Sequence, residues 1–243
     1  MQDINLGAIA SQVLWAAFAL AVAFGAIAQR THFCTMGAVA DIVNIGDWSR
    51  MRMWGLAIGV AMLGFNTMVA LGWVDAGKSI YAGPRVIWLS NAAGGLLFGF
   101  GMVLASGCGS KTLVRIGGGN LKSVVVFTVL GIAAFATLKG ITGVVRVATV
   151  DRVAFDLAGS QDLPSLAASA FGVAKPWAAH VLGTLLGGGL VVWALARREG
   201  RSRDVLLGGV GIGAVIAAMW WVSGRLGYVA EDPNTLQEAF VGT

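Results

Sequence analysis

The chain has 243 residues, of which 57% are apolar and 12% charged, and its formal net charge is +5. A soluble domain usually carries about twice that charged fraction, so the composition excludes an ordinary soluble protein and predicts an all-α integral membrane protein. The positive charge is compatible with anionic lipid or an anionic cargo, and because no nucleic-acid motif accompanies it, nucleic acid is not expected as a partner.

Six apolar stretches are long enough to cross a bilayer, and each is expected to form a membrane-spanning helix. In chain order they lie near residues 6–28, 53–73, 91–107, 123–143, 178–196 and 205–224. The first is too long for a signal-peptide core and has only Asp3 as a charged residue before it, so it is predicted to be retained. A seventh piece, residues 33–45, is too short to span and is predicted to be a re-entrant helix.

Basic residues are distributed unevenly between the two sides of these spans. With the N-terminus outside, the inside loops near residues 29–52, 108–122 and 197–204 contain ten Lys and Arg residues, whereas the longer outside segments contain six. This bias follows the positive-inside rule and predicts an N-terminus on the outer side of the membrane. Lys139 lies inside the fourth stretch and is expected to extend its side chain to the outer end of that helix.

The spans are predicted to form a single transmembrane bundle over residues 1–229. The connection over residues 144–177 contains several charged side chains and is expected to be an exposed loop with some helix. Residues 230–243 form a polar C-terminal tail without a recognisable stop signal. The tail leaves open that the chain is truncated before a second half.

The chain has two cysteines, Cys34 and Cys108, and each follows an apolar run that breaks into a basic, glycine-containing loop. Phe24-Gly25 precedes Cys34 by ten residues, and Phe100-Gly101 precedes Cys108 by eight. The two motifs, near residues 24–45 and 99–119, therefore resemble repeats. Repeated units around broken helices are common in transporters, where the substrate site lies between the repeats.

The loop around Cys108 has the composition of an anion site. Gly107 and Gly109 give a ligand access to main-chain N–H groups. If a helix begins near Ser110, its first N–H groups and its positive dipole end point at the loop, and such helix ends bind anions. Lys111 and Arg115 are four residues apart and can share one helical face. Arg30 stands in a similar position before Cys34.

Structural roles remain open for the same residues. A lone cysteine in a membrane helix is usually a small packing residue, and basic residues at helix ends are usually topology anchors. The glycine pairs Gly95/Gly99 and Gly183/Gly187 are more typical of helix packing than of ligand sites. No metal, cofactor or catalytic residue is predicted, because His32 and His180 lack ligand spacing and no enzyme motif is found.

Two segments resemble the YeeE/YedE family of membrane proteins, which is associated with sulfur transport and contains bacterial thiosulfate uptake proteins. They are QRTHFCTMGAVAD at residues 29–41 and GFGMVLASGCGSKTLVRIGGG at residues 99–119. The resemblance covers approximately residues 10–225. Members commonly have a second half with another Gly-Cys motif, which this sequence lacks.

The resemblance implies a multi-helix fold in which short re-entrant helices meet from opposite sides and cysteines line a narrow central path. Thiosulfate is expected to pass by hydrogen bonds between its sulfur and successive thiols, and Cys34 and Cys108 would be two of these. A neutral S–H can donate to an anionic sulfur, whereas a thiolate would repel the dianion, so the thiols are expected to stay protonated. A TusA-like cytosolic sulfur carrier is the implied partner.

The resulting hypothesis is a non-enzymatic, multi-pass permease of the bacterial inner membrane that takes up an inorganic sulfur anion, with thiosulfate as the expected substrate. The predicted substrate-binding residues are Cys34, Cys108, Gly107, Gly109, Ser110, Arg30, Lys111 and Arg115. One alternative is a membrane redox or sulfur-transferase component that carries persulfide on a cysteine. Another is an assembly subunit in which the cysteines are dispensable.

Overall fold

The computed structural model describes residues 6–78, 83–157, 159–229 and 239–240, and most of the polar tail lies outside them. Within these ranges the fold is almost entirely helical, which confirms the all-α prediction. The helices are α1 (Leu6–Arg30), α2 (Thr35–Ile45), α3 (Ser49–Ala70), α4 (Trp88–Leu104), α5 (Gly109–Gly117), α6 (Leu121–Lys139), α7 (Ile141–Ala148), α8 (Leu163–Phe171), α9 (Lys175–Leu195) and α10 (Arg203–Trp221). Four two-residue strands form antiparallel pairs: β1 (Arg85–Val86) with β2 (Phe155–Asp156), and β3 (Tyr228–Val229) with β4 (Ala239–Phe240).

Six helical segments of the described chain are long and apolar enough to cross a membrane, which confirms the predicted six spans. They are Leu6–Ile45, Ser49–Ala70, Trp88–Gly117, Leu121–Lys139, Lys175–Leu195 and Arg203–Leu226. The first and third each contain a long helix followed by a short one. The fourth ends earlier than predicted, because the chain turns at Gly140, where an added Cβ would lie 2.8 Å from the carbonyl oxygen of Ala136.

The chain divides into two compact units. Unit 1 comprises Met1–Phe33, Asp47–Ser79 and Leu163–Thr243, and unit 2 comprises Cys34–Gly46 and Ile80–Asp162. In unit 1, α3 packs extensively against both α9 and α10, and α10 also packs against α1. A small apolar core of Ala28, Ala57 and Ile212 lies among these helices.

Glycines allow the helices of unit 1 to approach closely, as the small residues of membrane helix interfaces commonly do. An added Cβ on Gly59 of α3 would lie 2.8 Å from the carbonyl oxygen of Gly187 on α9. One on Gly213 of α10 would lie 2.7 Å from the carbonyl oxygen of Ala57 on α3. Gly183 likewise faces the Asn66 side chain, so the Gly183/Gly187 pair lies in a helix contact as expected.

The glycines of α4 in unit 2 behave differently. A Cβ added at Gly94, Gly95, Gly99 or Gly101 would meet no atom within 4 Å. Most residues of α4 and α6 are exposed, consistent with surfaces that face lipid. The Gly95/Gly99 pair therefore does not form a helix contact within the described part of this chain.

Arg52 joins α3 to the end of α9 in unit 1. Its guanidinium donates a 2.7 Å hydrogen bond to the carbonyl oxygen of Trp193 and lies 5.0 Å from the centre of the Trp193 ring. Its Nε is 3.6 Å from a carboxylate oxygen of Glu199, and the side chain is only 11% exposed. The position of Arg52 at a span end also fits a topology anchor, but its side chain is packed against Trp193 and Glu199.

Replacing Arg52 with alanine is expected to lower the free energy of unfolding by about 2 kcal/mol, because a charged hydrogen bond and a cation–π contact are lost. Arg52→Lys should recover only part of this loss, since an ammonium lacks the planar fork that contacts both the carbonyl and the ring. Thermal unfolding in detergent measures the effect. Arg203→Ala, which removes an exposed arginine, is the control, and equal losses from both alanine variants would contradict the prediction.

The turn between α2 and α3 is fixed by a local hydrogen-bonded pair. Ser49 donates its hydroxyl (2.6 Å) and its backbone N–H (2.9 Å) to the same oxygen of Asp47. These bonds, the hydroxyl first, lower the pKa of the Asp47 carboxyl below its usual value. Because the folded-state pKa is lowered, the stabilisation is present above the ordinary carboxyl pKa and is lost as the pH falls through the lowered value.

In unit 2, α5 and α7 pack against opposite ends of α6. The connection over residues 144–177 is more ordered than a loop: it contains the end of α7, a short 3₁₀ turn, β2 and α8. In the β1–β2 pair, Arg85 lies opposite Asp156 and Val86 lies opposite Phe155. This pair ties the start of α4 to the segment that follows α7.

Candidate functional site

Both cysteines occupy the N-cap position of a short helix. Cys34 caps the 11-residue helix α2 and Cys108 caps the nine-residue helix α5. Each has an extended backbone, as N-cap residues usually do. Both thiols are free and partly buried. The structure therefore places each thiol beside the amide-rich, positive end of a helix.

The two helix breaks, between α1 and α2 and between α4 and α5, share an unusual backbone conformation. His32 has a φ of 52° and Ser106 a φ of 55°, and these are the only non-glycine residues with positive φ in the described ranges. Each lies two residues before its cysteine. A left-handed residue of this kind commonly terminates a helix, but it is usually glycine. Two non-glycine residues at matching positions therefore mark the same local structure used twice.

The terminal hydrogen bonds match as well. Phe33 N–H donates to the carbonyl of Ala28 (3.0 Å), and Gly107 N–H donates to the carbonyl of Met102 (3.0 Å). Both are the six-residue bonds of a Schellman helix end. Equivalent residues lie 74 positions apart throughout, so Phe24 corresponds to Phe98. The sequence pattern pairs Phe24 with Phe100, and the backbone of the two breaks shifts this correspondence by two residues.

The two thiols differ in their hydrogen bonds. The Cys34 Sγ accepts a hydrogen bond from the backbone N–H of Gly37 at 3.4 Å, and so takes up one of the free amides of α2. Cys108 makes no side-chain cap bond. Its sulfur is not tied to its own helix, and the first-turn amides of α5 have no side-chain cap. The thiol and the first-turn amides at the Cys108 break are consequently more available to a ligand than those at the Cys34 break.

The residues around Cys108 lie at the end of α4 and in the first turns of α5. Helix α5 begins at Gly109, one residue from the predicted start at Ser110. Gly107 is buried, and a Cβ there would lie 3.0 Å from Cδ of Lys111, so the stem of that side chain folds back over the break. Thr112, which is buried, donates its hydroxyl to the carbonyl of Cys108 at 3.0 Å. A Cβ added at Gly109 would meet no atom within 4 Å, so the backbone at this residue is open to a ligand.

Seven of the eight predicted site residues belong to unit 2, and Arg30 belongs to unit 1. Arg30 ends α1 and lies 3.6 Å from a carboxylate oxygen of Asp204, in an ion pair whose two side chains are largely exposed. Such a pair stabilises little and leaves the arginine able to exchange partners. Arg115 lies in the last turn of α5, one turn after Lys111.

Two features of the site carry little signal in the sequence. The left-handed conformations of His32 and Ser106 have no composition signal, because glycine is the residue expected there. The Gly37 amide was not recognised as a partner of Cys34, although its N3 position makes it a natural one. Among the described residues, no cluster of three or more His, Cys, Asp or Glu side chains is placed to hold a metal ion.

Comparison with known proteins places these motifs in a family. A sequence model for the family described as sulphur transport matches residues 30–243. Because this match covers most of the chain and includes both cysteine motifs, the chain belongs to that family.

Curated relatives share part of the chain. The thiosulfate transporter TsuA of Spirochaeta thermophila is 27% identical over 129 residues, which are 53% of this chain and 37% of that protein. The thiosulfate transporter TsuA of Escherichia coli is 31% identical over 111 residues, 45% of this chain and 30% of the relative. A probable transporter, YedE of Salmonella typhimurium, is 34% identical over 94 residues, which are 39% of this chain and 22% of that protein. The matches thus span well under half the length of each relative.

Proposed function

We propose that this member of the sulphur transport family is a permease that carries thiosulfate into the cell along a path lined by Cys34 and Cys108. The observation that carries the proposal is the repeated helix break, which presents a thiol at the N-terminus of a short helix twice. The thiosulfate transporter names of two relatives support the choice of substrate. The partial length of those matches is the reason the activity of the whole protein stands as a proposal.

The chemistry of each break suits a divalent anion with a soft sulfur end. A protonated thiol donates a weak hydrogen bond to the terminal sulfur. Amides at a helix N-terminus donate to the oxygens, and the helix dipole favours their negative charge. At Cys108, the groups available for the oxygens are the backbone amides of Gly109 and Ser110. The Gly107 amide, which the sequence also suggested, already donates to the carbonyl of Met102.

Positive side chains near the breaks offset the cost of moving a dianion into a low-dielectric region. Lys111 and Arg115 lie on α5 close behind Cys108, and Arg30 lies four residues before Cys34. Arg30 supplies this charge most effectively when it leaves Asp204. We place the protein in the bacterial inner membrane with its N-terminus outside, and a TusA-like cytosolic carrier receives the imported sulfur.

Uptake of radiolabelled thiosulfate tests the function directly. Cells that lack their own sulfate and thiosulfate importers are expected to grow on thiosulfate, and to accumulate the label, when they express the chain. The control is an empty vector, together with labelled sulfate as a substrate that lacks the terminal sulfur. Absence of thiosulfate uptake by correctly inserted wild-type protein would contradict the proposal.

A further inference from the structure

A cationic cavity lies in unit 2 at the junction of α6 and α7. Its volume is about 850 Å³, which is ample for a hydrated inorganic oxyanion. Its lining includes three basic side chains, Arg85, Lys139 and Arg152, and one acidic side chain, Asp151. Gly140 and Gly143 form part of the wall where the chain reverses between the two helices. Henceforth this space is called the cationic cavity.

The single acid of the cationic cavity is already engaged. A carboxylate oxygen of Asp151 lies 3.4 Å from Nε of Arg146, and the backbone carbonyl of Asp151 accepts a 3.4 Å hydrogen bond from Arg85. The second carboxylate oxygen is buried without a hydrogen-bond partner. These contacts hold the 3₁₀ turn Val150–Arg152, which carries Arg152. Among the lining residues, three basic side chains and one acidic side chain leave an excess of two positive charges, which complements a divalent anion.

The cationic cavity and the Cys108 break lie at opposite ends of the same helices. Helix α6 begins just after α5 and ends at Lys139, and its 19 residues extend about 28 Å at 1.5 Å per residue. Helix α4 likewise begins next to Ile87 of the lining and ends before Cys108. An ion in the cavity would be at the membrane face remote from the α5 end.

Topology anchoring does not account for this concentration of charge. The α5 end of these helices carries Lys111, Arg115 and Lys122, and a positive-inside bias explains basic residues on one side only. Arg85, Lys139 and Arg152 gather at the other end, around a concave surface. A cavity lined by charge of one sign raises the local concentration of oppositely charged ligands.

We propose that the cationic cavity is a capture site where the transported inorganic oxyanion, a thiosulfate-like dianion, binds through Arg85, Lys139 and Arg152 before it enters the thiol path. This step rests on the proposed transport function. The site recognises charge and oxygen geometry and holds no thiol. It consequently binds sulfate as well as thiosulfate, and selection for the sulfur end occurs later, at the cysteines.

Binding to the purified full chain in detergent tests the capture site separately from transport. Calorimetric titration with sodium thiosulfate and with sodium sulfate is compared for the wild type, the double variant Lys139→Gln/Arg152→Gln and Arg152→Lys. The double variant is expected to bind both anions roughly tenfold more weakly, because two partly exposed charge contacts are lost. Arg152→Lys should retain most of the affinity, and added sodium chloride should weaken wild-type binding.

The matched control is Arg203→Gln, which removes the same charge from an exposed position in unit 1. In uptake assays the double variant should raise the KM for thiosulfate roughly tenfold and leave the maximal rate nearly unchanged. Unchanged affinity in the double variant, or an equal loss in Arg203→Gln, would overturn the capture site. If the wild type takes up no thiosulfate, the transport function fails, while the titrations still decide whether the cavity binds anions.

Discussion

Replacement of Cys108 by alanine is expected to reduce thiosulfate uptake by roughly ten- to a hundredfold, the effect of losing a hydrogen bond to a charged group. This substitution tests the thiol with little effect on the fold. Cys108 makes no side-chain cap bond with its helix, so alanine removes the thiol without removing a contact that holds α5. Folding and membrane insertion should remain close to those of the wild type.

Serine at the same position separates a relay from a covalent mechanism. A hydroxyl is still a hydrogen-bond donor, so Cys108→Ser should retain measurable uptake if the thiol only donates to the passing sulfur. A persulfide carrier would instead lose all activity with either substitution, because a hydroxyl cannot carry sulfane sulfur. Equal inactivity of the serine and alanine variants at normal expression would therefore contradict the relay. Full activity of the alanine variant would return Cys108 to a packing role.

Cys34 provides the internal comparison for this experiment. Its sulfur accepts the Gly37 amide, so alanine removes both a donor and a cap in this case. Cys34→Ser keeps a good N-cap residue, and its protein should be at least as stable as Cys34→Ala. The pair of positions thus distinguishes loss of chemistry from loss of helix capping.

The spans were predictable because each is a long, predominantly apolar run, and an α-helix satisfies all the backbone polar groups of such a run within lipid. The breaks at Cys34 and Cys108 were also predictable, since polar and basic residues interrupt the runs there. The start of α5 at Gly109 differs from the predicted start by one residue. These features depend on local sequence alone.

Features that depend on long-range packing were not accessible in the same way. The contact of Gly213 with α3 and the open surroundings of Gly99 cannot be told apart from sequence, because both are glycines in apolar helices. The cationic cavity joins Arg85 with Arg152 across 67 residues, and the β1–β2 pairing and the hydrogen bond from Arg85 to the Asp151 carbonyl bring these segments together. The ion pair of Arg30 with Asp204 joins residues that lie still further apart in the chain.

A graded series of glycine substitutions in unit 1 is expected to show that backbone contacts between helices hold this fold. In Gly213→Ala, the new methyl would lie 2.7 Å from a main-chain carbonyl of α3, which cannot move without shifting the helix. In Gly187→Ala, the nearest atoms are at 3.1 and 3.2 Å, and one belongs to the Leu63 side chain, which can adjust. In Gly189→Ala, no atom lies within 4 Å.

The three variants carry the same chemical change within membrane-spanning helices, so their differences report packing alone. Overpacking costs about 1–3 kcal/mol, whereas alanine in an open helix position gains up to about 1 kcal/mol over glycine. Melting temperatures in detergent should therefore be highest for Gly189→Ala, intermediate for Gly187→Ala and lowest for Gly213→Ala. Gly213→Leu should yield no folded protein. Since about 2–4 °C corresponds to 1 kcal/mol in a chain of this size, the extremes should differ by several degrees. Equal melting temperatures for the three variants would mean that α3 and α10 do not meet through Gly213.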